Sequence, residues 1–152
     1  MFILCLFAVS IAARDKLKTD KIFEKYGMLD GSVLVELSTD VLAKNTKISF
    51  YKSMIMPEEK EAVQEIMTAI EEDTKEGLKI MESAKNGKVE TGYYYLTPEK
   101  DRKTKEYILY KNKSKKITLI YLKGDFKPDR LEEELDKLKD LFIYVNKRRI
   151  KL

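Results

Sequence analysis

From Leu78 to Gly124 the chain alternates apolar and polar positions with a period of two, the spacing of a strand with two unlike faces. Four segments carry it: LKIMESAK, KVETGYYYL, KEYILYKN and KITLIYLKG. Asn86-Gly87 separates the first pair, and a type I′ turn needs positive φ at both of its central residues. KSK separates the last pair, placing a turn at Asn112 to Ser114. The pattern predicts an antiparallel meander. Tyr93 and Tyr95 share one face and Tyr94 takes the other. Ile108 and Tyr110 oppose Tyr107 and Leu109, and Ile117, Leu119 and Tyr121 oppose Thr118, Ile120 and Leu122. Apolar groups on both faces call for helices on each.

The flanking segments supply them. Pro57 is expected to open a long helix, because proline tolerates the first helical position. Val63, Ile66, Met67 and Ile70 follow its inner stripe, and it should fray between Asp73 and Gly77. Pro128 is expected to open the last helix, whose stripe is Leu131, Leu135, Leu138, Leu141, Phe142 and Val145. Ahead of the meander, Thr19 should cap a short helix over Asp20 to Tyr26, with Gly27 ending it in the left-handed conformation. Asp30-Gly31 marks a turn into a strand, SVLVELS, with Val33, Val35 and Leu37 on one face. Thr39 to Lys44 fits one helical turn. KISFYKSMIM fits a strand with Ile48, Phe50 and Met54 on one face. The fold class is α+β: an antiparallel β-meander packed against two main helices, with a short N-terminal helix.

Length and composition bound the rest. A chain of 152 residues fits one domain. A net charge of +4 is too mild for a nucleic-acid module, which concentrates basic charge on one face. Residues 1–13, MFILCLFAVSIAA, are apolar apart from Ser10. They are too few for a bilayer span, which needs about 20. They match the apolar core of a cleavable signal peptide, with Ser10 and Ala12 at the small-residue positions before the cut. The expected division is a signal peptide over 1–13 and a single α+β domain over 14–152, exported to the periplasm or cell envelope, with no transmembrane span in the mature chain. No basic residue precedes Phe2, which departs from the usual leader.

Candidate chemistry is sparse. Cys5 is the single cysteine, and there is no histidine or tryptophan. A Ser-His-Asp triad is impossible, and the usual zinc and haem ligand sets are missing. No phosphate-binding glycine loop or calcium loop appears. No catalytic residue, metal ligand or cofactor is expected. Ser49 and Lys52 spell S-x-x-K, but in a strand that spacing sends them to opposite faces. Carboxylate catalysis needs no local motif and stays open as an alternative. Two surface features stand out. Lys85, Lys88, Lys111, Lys113, Lys115 and Lys116 cluster at turns that a meander brings to one end. Tyr93, Tyr95, Tyr107 and Tyr110 offer rings with hydrogen-bonding tips. Lysine turns also guard strand edges, and tyrosine also suits a half-buried strand.

KNGKVETGYYYL, EYILYKNKSKKITLIYLKGDF and LEEELDKLKDLF together resemble the small exported domains of unknown function of Gram-negative gut bacteria. Gly124-Asp125 matches the end of their meander. The resemblance implies an α+β fold and the cell envelope, and carries over no functional residues. The expected function is a non-enzymatic binding or interaction module, its partner an envelope protein or an anionic glycan or lipid. The alternatives are a carboxylate or Ser49/Lys52 hydrolase and a cystatin-like cup for a small ligand.

Overall fold

The computed structural model describes residues 17–37, 39–44, 46–96 and 104–139. The elements in chain order are α1 (Lys18–Tyr26), β1 (Val33–Leu37), α2 (Thr39–Ala43), β2 (Ile48–Pro57), α3 (Lys60–Asp73), β3 (Leu78–Lys85), β4 (Lys88–Tyr95), β5 (Lys105–Lys113) and β6 (Lys116–Gly124). A 3₁₀ turn at Pro128–Arg130 then leads into a helix, α4, over residues 131–139. The six strands form one sheet in the order β1-β2-β6-β5-β4-β3, every neighbouring pair antiparallel. β3 to β6 are the meander that the alternation predicts. β2 and β3 therefore run parallel from opposite sides of the meander, a connection that needs a crossover, and α3 makes it.

The sheet is covered on both faces. On one, α1 and α3 pack Ile22, Phe23, Ile66 and Ile70 against Met54, Tyr110, Ile117 and Leu119. On the other, Leu42 of α2 and Leu131 and Leu138 of α4 pack against Tyr51, Tyr107, Leu109 and Leu122. The faces assigned to β4, β5 and β6 by alternation are the faces observed. Leu141, Phe142 and Val145 lie outside the described residues, as does the 1–13 segment.

Several boundaries fall elsewhere than the sequence indicates. Pro57 is the last residue of β2, opposite Lys116, and α3 begins three residues later at Lys60. The ladder continues past the proline, since the Glu58 N–H donates to Lys115 O. Ile48 does not share a face with Phe50 and Met54. The register shifts between Ile48 and Phe50, and this bulge turns Ile48 into the α4 cluster. Thr19 lies inside α1, not at its cap. The orphan N–H groups of Lys18 and Thr19 donate instead to Asp73 at the end of α3, at 2.7 and 2.9 Å, and the Thr19 hydroxyl donates to the same carboxylate at 2.8 Å. Gly27 ends α1 with a right-handed φ of −65°, not a left-handed one. The β5–β6 turn is Ser114-Lys115, both at positive φ, so β5 runs one residue beyond Asn112. Asn86-Gly87 turns as predicted, with φ of 54° and 76°.

Candidate functional site

α4 is held to the sheet at its start and through Glu134, and a cleft opens beside it. At its start, Gly124 lets the chain double back. A Cβ there would collide with the Phe126 ring, which stacks on Tyr107 with centroids 4.9 Å apart. The Tyr107 hydroxyl donates to Phe126 O at 2.7 Å. Within the helix, Glu134 is a buried carboxylate, 2% exposed. It accepts from the Lys47 N–H at 2.7 Å and from Lys137 Nζ at 2.9 Å, tying α4 to the entry of β2. Leu131 and Leu138 are buried, while Leu135 between them is only half-buried.

The cleft has a volume of about 480 Å³. Its floor is the four inner strands of the sheet, with Tyr51, Tyr93, Leu109, Thr118 and Ile120. Its wall is the inner side of α4, with Glu132, Leu135, Asp136, Leu138 and Lys139, and Lys111 closes one rim. That volume falls within the range of small-molecule sites, and an apolar lining with a few polar groups is their usual make-up. Burial raises the Tyr93 hydroxyl above its ordinary value, and the nearby charges of Glu132 and Asp136 raise it further. Burial also raises Tyr51, against a hydrogen bond with Ser53 that lowers it. Both tyrosines are therefore neutral at physiological pH and able to donate.

The ten residues singled out from sequence divide into three groups. Tyr95, Tyr107 and Tyr110 are buried core side chains, with Tyr107 and Tyr110 among the largest fully buried ones, and Tyr110 also borders the cleft. Alternation could not separate them from Tyr93, because the faces of these strands are both apolar. Tyr93 and Lys111 are brought together at the cleft. Lys85, Lys88, Lys113, Lys115 and Lys116 converge on the opposite feature, the end of the sheet that carries both tight turns, where Lys85 faces Lys88 and Lys113 faces Lys116. Lys88 is engaged there by Glu58, whose carboxyl is held below its ordinary range by the Lys88 hydrogen bond and then by Asn112. Ser49 donates to Lys123 O, and Lys52 Nζ lies 5.0 Å from the centre of the Phe23 ring.

Sequence reasoning did not find Tyr51, Ile120, Leu135 or the carboxylates of Glu132 and Asp136 as a group. Glu132 and Asp136 lie off the apolar stripe of the last helix, and nothing local indicated the sheet residues opposite. Among the described residues no cluster of three or more metal-ligating side chains forms, and no described helix is long and apolar enough to cross a membrane.

Fold and site together define an α+β protein, a six-stranded antiparallel sheet with helices on both faces and a cleft under the last described helix. The chain belongs to the Family of unknown function (DUF6108), whose model matches residues 6–135. No curated protein and no solved structure matches it.

Proposed function

We propose that the chain is an exported, non-enzymatic binding module of the cell envelope, and that the cleft under α4 holds its ligand. The observation that carries this is the cleft itself: about 480 Å³ of concave space with an aromatic and aliphatic floor. The ligand class is a small amphipathic molecule. Its apolar body lies against Leu109, Ile120 and Leu135, and a hydroxyl or amine meets Tyr93, Glu132 and Asp136. Glu132 and Asp136 line the cleft and are solvent-exposed. Export rests on the apolar segment 1–13 and its small residues Ser10 and Ala12.

Titration of the full chain with N-phenyl-1-naphthylamine, whose fluorescence rises in apolar surroundings, tests the site. Saturable binding is expected, with loss in Ile120→Trp, where the indole fills the floor. Absence of saturable binding, or binding indifferent to Ile120→Trp in a folded variant, would overturn the cleft as the site. Export is checked separately by fractionation: a chain shortened near Ala13 in the envelope fraction is expected, and an unshortened cytoplasmic chain would contradict it.

A further inference from the structure

The two edges of the sheet are built differently. β3 carries the usual protections against strand addition. Its register with β4 shifts twice, between Lys79 and Met81 and between Ser83 and Ala84, and Lys79, Glu82 and Lys85 place charge along it. β1 has no register shift and a single charge. Its five residues pair with β2 in unbroken register, and four of the five are apolar. Val33 is 55% exposed and Leu34 38%, and Ile55, opposite Val33 on β2, is 39% exposed. The one charge, Glu36, stands opposite Lys52.

We infer that β1 is the seam of a symmetric dimer, pairing antiparallel with β1 of a second copy. The occupant is specified by the charge pattern of the strand. A two-fold axis through Val35 sets Val33 opposite Leu37 of the second copy, Leu34 opposite Glu36, and Val35 opposite Val35. Every residue of the strand is then paired. Glu36 meets no like charge, and Lys52 beside it keeps the seam close to neutral. An axis through Glu36 would set two carboxylates face to face, which is disfavoured. The row across the seam becomes Tyr51, Leu37, then Val33 and Ile55 of the second copy. It sets Val33, the most exposed apolar side chain of β1, beside Leu37 of the second copy. Two six-stranded sheets join into one, and the unprotected edge disappears from the surface.

The register makes the test specific. Leu34→Glu sets a carboxylate opposite Glu36 on both sides of the axis, whereas Leu34→Lys sets an ammonium there. Sedimentation velocity of the full chain across a concentration series should show a monomer–dimer equilibrium. Leu34→Glu should weaken it about tenfold, and Leu34→Lys should leave it intact or tighten it. Val33→Lys, at the more exposed position, should also dissociate the dimer and serves if Leu34→Glu does not fold. A wild-type chain that stays monomeric throughout would overturn the inference. So would a dimer that ignores Leu34→Glu or Val33→Lys, or one that Leu34→Lys and Leu34→Glu weaken alike, since loss of the leucine rather than the register would then explain the effect.

Discussion

The two faces of the sheet use the same kinds of residue to different ends. On the α3 face, two helices share the cover. α1 is fixed to α3 by the Asp73 carboxylate, and the cluster between them includes Ile66, Met54, Ile117 and Leu119, all fully buried. On the α4 face, among the described residues, cover comes from the single turn of α2 and from α4, which is anchored through Phe126 and Glu134 and borders the cleft with Leu135 and Leu138. One face is a filled core and the other a core with a cleft in it. What separates them is the placement of the covering helices, because both sheet faces are rich in aliphatic and tyrosine side chains.

That contrast can be broken by truncation. Ile66→Ala on α3 removes a side chain with no solvent exposure and should cost about 2–5 kcal/mol, read from urea unfolding. Ile120→Ala, half-buried on the cleft floor, should cost about 1 kcal/mol. Equal costs would mean that the α4 face is packed as tightly as the other.

The two anchors sharpen it. Glu134→Ala leaves the Lys47 N–H without its partner and should destabilise the fold by about 1–3 kcal/mol. It should also weaken binding of N-phenyl-1-naphthylamine, because the cleft wall loses its tether. Asp73→Ala removes the acceptor for two N-terminal amides of α1 and should cost about 1 kcal/mol while leaving probe binding unchanged. Thermal unfolding paired with probe titration separates the two; loss of probe binding in both variants would show that the faces do not behave independently.

The smallest effect is a difference in titration. Burial raises Tyr94, Tyr107 and Tyr110 as well as Tyr93, and the hydrogen bond to Glu82 raises Tyr94 further. A tyrosine whose folded value is raised contributes stability in full below the ordinary value near 10, and loses it as pH climbs from there through the folded value. Stability should therefore fall above about pH 10. Half-buried Tyr93 should ionise ahead of unfolding, while Tyr107 and Tyr110 should ionise only with it. Ultraviolet titration of wild type against Tyr93→Phe reads this; loss of the early phase in Tyr93→Phe is the expected result.

How much of this was legible in the sequence follows from range. The meander was, because period-two alternation and the Asn86-Gly87 turn are local signals. So was the inner stripe of α3 at Ile66 and Ile70, although Ala62 and Ala69, too small to stand out as a pattern, complete its buried side. Pro57 was misplaced because proline suits the end of a strand as well as the start of a helix, and only the pairing with Lys116 decides between them. The cap on α1 was misassigned for a similar reason: Asp73 is 54 residues from Thr19. The cleft was not legible at all as a site. Leu131, Leu135 and Leu138 look equivalent on a helical wheel, and their different depths arise from how α4 crosses the sheet.

Mapping the probe onto the protein by amide chemical-shift perturbation tests the central contrast most directly. With N-phenyl-1-naphthylamine added to the full chain, shifts should concentrate at Tyr93, Leu109, Ile120 and Leu135, with Ile66, Ile70 and Tyr26 unmoved. Perturbations centred on the α3 face, or confined to the lysine turns at Lys85–Lys88 and Lys113–Lys116, would contradict it.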